Sequence, residues 1–423
     1  MTQFRVLPVR RGDAFLLVSP RGDYLVDGGE LGNGVPKMLD DRKARKLRAV
    51  ICTSACSERL GGVLELMEAG HTVSEYWLPQ GLELLIEMGR RFNGDWEGWL
   101  HLLGNGSDTP SSDTDKGWAR FVQMLPQNET QRRLEGAAVL IGLGMVACLG
   151  WSPYSKLSRK ALWGEDHRDS LYGLSRFFNW TLELLTERAA SRWRENKTAM
   201  SRIINRLGWR LFHGGGPEDL ALLCGRLLLA ESELLPGGDE RGTRAVVQGL
   251  AMASMTAALL TKNSAKLRFF RHTGQLEEHL VPRHPVRCIN GVEVNPLIGL
   301  APTAAPQTIL HEARALSGHR EGLVFQYGDS DCSVLFCSDT RMTFLNKIQR
   351  LELDRPTVIT APRQGSYIAD RAYNHIESSV PKKNIWVRTH NPGMRKVSSF
   401  FTDQEHKACL HNCQDLTLQE ILL

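Results

Sequence analysis

The stretch Ala49-Val50-Ile51-Cys52-Thr53-Ser54-Ala55-Cys56-Ser57-Glu58-Arg59-Leu60-Gly61-Gly62-Val63-Leu64 decides how the rest of the chain is read. Ala49 to Thr53 has the apolar, β-branched texture of a buried strand, and after Gly61-Gly62 the residues Val63, Leu64, Leu66 and Met67 recur at helical spacing. Glu75-Tyr76-Trp77-Leu78-Pro79 returns to strand. Upstream, Phe4 to Val9, Ala14 to Val18 and Tyr24 to Val26 are short β-rich runs, separated by Arg-Gly-Asp turns at 11–13 and 21–23. The chain therefore opens as a meander.

From about Gln80 the texture changes, and from about Ser152 to Lys262 the pattern is mostly helical. Met200, Ile203, Ile204, Leu207 and Leu211 form one stripe of period 3.6, and Leu220, Leu223, Leu227 and Leu228 form another. His213-Gly214-Gly215-Gly216-Pro217 and Pro236-Gly237-Gly238-Asp239 break these helices apart. After Ser264 strands resume at Leu267–Phe270, Gly291–Val294, Leu323–Tyr327, Ser333–Cys337, Thr357–Thr360 and Asn384–Val387. Neither β-rich flank closes a layered core alone. The expected organisation is one split α/β domain, residues 1–150 and 263–423, interrupted by a helical insertion at 151–262.

Composition narrows the class. Of 423 residues, 42% are hydrophobic and 23% charged, which excludes a disordered chain, a collagen-like repeat and a polytopic membrane protein. The formal net charge of +5 is too small to make the whole chain a nucleic-acid binder. Nine scattered cysteines do not form a secreted disulfide framework, so a reducing cytoplasm is expected. Met1 to Arg5 has no secretion pattern, and the apolar run Gly136 to Pro153, interrupted by glycines, reads as buried strand rather than a membrane span.

The order of short motifs resembles the metallo-β-lactamase-fold hydrolases, in particular their ComEC-like branch. Gly12-Asp13-Ala14, Tyr24-Leu25-Val26-Asp27-Gly28-Gly29 and Leu60-Gly61-Gly62 match the start of that fold. His319-Arg320-Glu321-Gly322-Leu323-Val324-Phe325 looks like its N-x-x-S-L-V strand, Leu335-Phe336-Cys337-Ser338-Asp339-Thr340 like its L-L-T-G-D strand end, and Ala361-Pro362-Arg363-Gln364-Gly365-Ser366 like its P-H-H-G-S loop. The resemblance covers roughly residues 1–80 and 265–400. It implies an αββα sandwich of metallo-β-lactamase type with a large helical insertion.

The family's metal loop reads T-H-x-H-x-D-H-x-G-G. Here Thr53 and Gly61-Gly62 keep the frame, while Ser54, Cys56 and Arg59 stand at the three histidine positions and Glu58 at the aspartate. Arg363-Gln364 replaces the later His-His pair, and only Asp339, at the bridging carboxylate position, is retained. The family's hydrolysis depends on a metal that lowers the pKa of bound water from 15.7 to about 7. An arginine has no lone pair to donate and repels a cation. The expectation is an ion pair of Asp339 with Arg59 or Arg363, the guanidinium occupying the former cation site. No cofactor is expected.

The resemblance, with its metal ligands replaced, implies a catalytically inactive member of the fold, expected in the reducing cytoplasm that the cysteines indicate. Its expected role is a binding, scaffold or regulatory subunit of a bacterial protein complex, in the anti-phage defence or DNA-processing settings where ComEC-like members occur. The insertion, with more apolar stripes than one small bundle buries, is the natural partner-binding element. A second reading is a metal-dependent phosphodiesterase or nuclease, with zinc or a similar ion held by Cys56, Glu58 and Asp339 and with Glu58 as general base. A third is a nucleic-acid-binding module. Arg188, Arg192, Arg194, Lys197, Arg202, Arg206 and Arg210 face a single Glu195, and Arg202, Arg206 and Arg210 stack along one helix face. The same pattern also describes a solvated helix face. His406, Cys409, His411 and Cys413 have ligand-competent side chains in an uncommon spacing, read as packing on a C-terminal β-segment. Cys52 and Cys337 read as core residues at strand ends.

Overall fold

The computed structural model describes residues 2–42, 44, 46–91, 241–260, 263–294, 321–389, 396–409 and 420–422, with positions 222, 225, 226 and 229. The chain forms two compact units, one of residues 1–83, 263–295 and 316–423, the other of 84–262 and 296–315. The boundary between them at Glu83 falls inside helix α3 (Gln80–Arg91), which follows directly on a strand ending at Pro79. The apolar run 136–153, the basic stretch 188–210 and the glycine-rich 213–216 lie outside the described residues.

The first unit is α/β. Its first sheet contains β1 (Gln3–Val6), β2 (Phe15–Val18), β3 (Asp23–Val26), β4 (Lys46–Ile51), β5 (Thr72–Val73), β6 (Glu75–Pro79), β7 (Lys266–His272), β10 (Gly291–Val294) and β18 (Glu420–Leu422). The strand order is β10-β7-β6-β4-β3-β2-β1-β18, with β5 beside β4. The second sheet is built from β8 (His279–Leu280), β9 (Val286–Cys288), β11 (Phe325–Gly328), β12 (Ser333–Phe336), β14 (Thr357–Thr360), β16 (Ile385–Arg388) and β17 (Lys407–Cys409). Its order is β17-β16-β14-β12-β11-β9-β8. A small parallel pair joins β13 (Leu351–Leu353) to β15 (Ile376–Ser378).

One apolar cluster draws on both sheets. Phe4, Phe15, Ile51 and Trp77 come from the first, and Phe325, Val334, Phe336 and Val387 from the second. Ring centroids of Phe15 and Phe336 lie 6.0 Å apart, as do those of Trp77 and Phe325. The sheets therefore pack face to face, and burial of each large side chain contributes roughly 1.5–3 kcal/mol. Alternation selects the inward set: Ala49 and Ile51 point into this core, and Val50 is buried on the opposite face. Helices α1 (Val35–Asp41) and α2 (Ser57–Glu68) connect the parallel pairs β3–β4 and β4–β6. Crossover connections of this kind lie on a sheet face, and the second sheet already covers the inner one. The outer face of the second sheet carries its own core, in which Leu335, Ile359 and Trp386 meet Phe344, Tyr373 and Phe401. Helix α4 (Arg241–Leu260), in the second unit, is buried along its length from Val246, and its Ser254 and Thr256 hydroxyls donate to carbonyls one turn back.

The parallel strands β3 and β4 of one sheet, and β12, β14 and β16 of the other, all end toward the same edge. Asp27, Thr53, Asp339, Arg363 and Thr389 follow those ends, and the candidate site is built from them.

Candidate functional site

Glycines set the entry of α2. Gly12 has φ +86°, and a Cβ there would collide with the Glu58 carbonyl; a Cβ on Gly62 would collide with the Gly28 carbonyl. Their absence lets backbone bonds clasp the first turn of the helix. Gly28 N–H donates to the Arg59 carbonyl at 2.8 Å, and Gly62 N–H to the Gly29 carbonyl at 3.0 Å. Gly29 N–H donates to the Asp13 carbonyl at 2.7 Å. Held in this way, the Arg59 side chain enters between Asp13 and Asp27 and is only 1% exposed.

Its guanidinium is shared by three carboxylates. Nη1 pairs with Asp13 Oδ2 and, at 3.0 Å, with Asp27 Oδ2, while Nη2 lies 2.9 Å from Asp339 Oδ1. Thr53 donates its amide to Asp27 Oδ1 at 2.8 Å and its hydroxyl to Asp27 Oδ2 at 2.7 Å. Ser338 Oγ in turn donates to Thr53 Oγ1 at 2.7 Å, and Thr389 Oγ1 donates to Asp13 Oδ1. The cluster binds loops from both sheets into one buried polar network, with three carboxylates against one guanidinium. Burial pushes the Asp27 carboxyl well above its ordinary value, and the nearby Asp339 charge raises it further, against the two Thr53 hydrogen bonds.

Backbone strain gathers at the same place. Asp27, Ser338, Arg363 and Gln364 all have positive φ without being glycine, at 58°, 54°, 47° and 57°. Left-handed backbone of this kind costs about 1–3 kcal/mol per residue and persists where the surroundings over-determine it. Arg363 N–H donates to the Ser338 carbonyl at 2.8 Å, and buried Arg388 donates Nε to the Gln364 carbonyl at 2.9 Å. Those bonds hold the 362–365 turn against the Asp339 loop.

The expected ion pair of Arg59 with Asp339 is therefore present, and Arg363 Nη1 reaches the Asp339 main-chain carbonyl at 3.4 Å. Ser54 Oγ donates to Cys56 Sγ at 3.1 Å. Cys56 stands at the N-cap of α2, and burial, followed by the Asp339 and Glu58 charges, pushes its thiol well up. Glu58 is half-buried and faces Arg11 at 3.6 Å. Gln364 is buried. Ser54, Arg363 and Gln364 supply no ligand that a hydrolytic zinc takes, whereas Cys56 as thiolate and the carboxylates of Glu58 and Asp339 are of the ligand type. Among the described residues no group of three or more His, Cys, Asp or Glu side chains is arranged to hold a metal ion.

Sequence reasoning assigns no role to Asp13, Asp27, Thr389 or the Ser338 hydroxyl. Asp13 and Asp27 stand inside the Gly-Asp-Ala and Asp-Gly-Gly runs, and a carboxylate at an apolar strand end is the available signal. Cys52 and Cys337 are fully buried, as expected of core residues. Cys409 closes β17 and accepts from Arg388 Nη1 at 3.5 Å, while His411 and Cys413 lie outside the described residues. None of the described cysteines is paired in a disulfide, and among the described residues no helix is long and apolar enough to cross a membrane. No protein-family model matches the chain, and no curated protein is significantly similar to it.

Proposed function

We propose that the chain is a catalytically inactive member of the metallo-β-lactamase fold, of ComEC-like type: an αββα sandwich with a helical insertion, acting as a binding, scaffold or regulatory subunit of a protein complex. One observation carries the reading. A buried guanidinium is bonded to three carboxylates from three loops at the strand ends, which supports reading its place as the one a metal ion takes in the resembling hydrolases.

The chemistry follows from the group. A guanidinium keeps its proton above pH 12 and has no lone pair, so it cannot ligate water or lower its pKa toward neutrality. It can neutralise the carboxylates and cross-link loops of both sheets. The former reaction centre becomes a structural clamp, and the clamp keeps the hydrolase architecture in place as a platform. The insertion at 151–262 is the proposed partner-binding element.

The test pairs two measurements on the full-length chain. Hydrolysis of bis-p-nitrophenyl phosphate and of single- and double-stranded DNA in Mn²⁺ or Zn²⁺ is expected to be at background. Affinity purification from the native host is expected to bring down one stoichiometric protein partner, lost when 151–262 is deleted. Cleavage abolished by Asp339→Ala would select the phosphodiesterase reading instead.

A further inference from the structure

At the opposite end of the same strands the surface is cationic. Asp23, Lys46 and Glu75, the first residues of β3, β4 and β6, line a cavity of about 420 Å³. It adjoins a second cavity of about 680 Å³, and the two share Arg21 and His284. β4 spans six residues, which puts this end roughly 20 Å from Arg59 at ~3.3 Å per residue.

The charges here are unevenly matched. Most of the acids are taken up: Glu75 accepts from Arg268 at 2.6 Å and Trp77 at 2.9 Å, Asp354 pairs with Arg355 at 2.7 Å, and Glu278 with Arg287 at 3.4 Å, while exposed Glu352, in the larger cavity, has no cation within ion-pair distance among the described residues. Burial raises the Asp23 carboxyl, which lies within the field of Arg5. Arg21, Lys46, Arg48, Arg283 and Arg350 have no carboxylate within ion-pair distance among the described residues. Arg48 spends its two terminal nitrogens on the Arg21 and Arg283 carbonyls, which fixes it between those two arginines. Arg283 itself has φ +70°, a strained conformation for so large a residue. Four unmatched cations thus line the smaller cavity, which no ordinary surface salt-bridge pattern requires.

The larger cavity differs in character. It adds Leu280, 66% exposed, with Pro285 and the polar side chains of Gln326 and Ser333. Its volume lies in the range of small-molecule sites. Neither cavity is lined by Phe, Tyr or Trp, the side chains on which the bases of a single strand stack.

We propose that these adjoining cavities form a binding site for a small organic polyphosphate of nucleotide type, its phosphate chain held by Arg21, Lys46, Arg48 and Arg283 and its organic body lying toward Leu280 and Pro285. The site is independent of the Arg59 clamp and of the proposed scaffold role.

The experiment is calorimetric titration of the full-length chain with ATP in EDTA, beside pyrophosphate and a twelve-nucleotide single strand. ATP is expected to bind with pyrophosphate as a competitor. Arg21→Glu with Lys46→Glu, both at side chains that make no hydrogen bond among the described residues, should weaken it at least tenfold. Lys37→Glu, at an exposed position of α1 that lines neither cavity, should leave it unchanged. Thermal melting of each variant establishes that it is folded. Absence of ATP binding, an affinity indifferent to Arg21→Glu with Lys46→Glu, an equal loss with Lys37→Glu, or binding of the oligonucleotide alone would each overturn the proposal.

Discussion

Arg59 and Asp339 stand 280 positions apart in the chain, and Nη2 of one lies 2.9 Å from Oδ1 of the other. The pair joins the first turn of α2 to the loop that follows β12 inside a buried network that also holds Asp13 and Asp27. Removing one member of such a network leaves charge buried without compensation, which costs about 3–5 kcal/mol. Arg59→Ala is expected to lose that much in urea unfolding. Arg59→Lys should recover only part of it, because an ammonium cannot reach three carboxylates with a planar fork. A loss below about 1 kcal/mol for Arg59→Ala would show that the clamp is not structural.

Asp27 gives the network a pH dependence with a definite sign. Its folded-state pKa is raised by burial above the ordinary value of about 3.9, so over the pH range between the two values the folded chain holds a proton that the unfolded chain has released. The stability from this group is complete below about pH 4 and is lost as pH rises through the folded value. Asp27→Asn should remove that component. The melting temperature of the native chain, measured relative to that variant, is then expected to be highest at low pH and to fall as pH rises. A difference that stays flat from about pH 4 to 8 would contradict the assignment.

Thr53 serves Asp27 twice and receives Ser338. Thr53→Val keeps the shape and the amide bond but deletes the hydroxyl, leaving two buried polar partners short of a bond. The expected cost is about 1–3 kcal/mol in chemical denaturation. Ser338→Ala should cost less in the Thr53→Val background than alone, since both act on one bond.

The close approach at Gly62 is equally testable. Gly62→Ala places a Cβ against the Gly28 carbonyl, where only backbone can yield. A helix-favouring substitution at an open site would stabilise, whereas here a loss of about 1–3 kcal/mol is expected from overpacking. A gain in melting temperature would mean that α2 enters differently.

Much of this architecture is legible in the chain. Glu75–Pro79, Gly291–Val294 and Thr357–Thr360 fall where their β-branched and aromatic texture puts them, and α2 carries the apolar spacing of Val63 to Met67 but begins at Ser57, ahead of the Gly61-Gly62 pair that the sequence places before it. Strands of two or three residues, β8, β13 and β15, escape a sequence reading, because so short a run has no period of its own and exists only through pairing. In the site, the Arg59–Asp339 pair follows from two opposite charges at matched motif positions. Asp13, Thr389 and Arg388 do not, since nothing local marks which distant side chain a buried polar group will meet.

In the proposed reading Arg59 stands where a metal would. Calorimetric titration of metal-free protein with Zn²⁺ and Mn²⁺ tests it most directly, set beside Arg59→Ser and the double variant Arg59→Ser with Asp339→Asn. The native chain is expected to take up no stoichiometric metal, Arg59→Ser to gain one divalent ion as the three carboxylates lose their guanidinium, and the double variant to lose that ion. Tight binding of one or two ions by the native chain, abolished by Asp339→Asn alone, would contradict that reading.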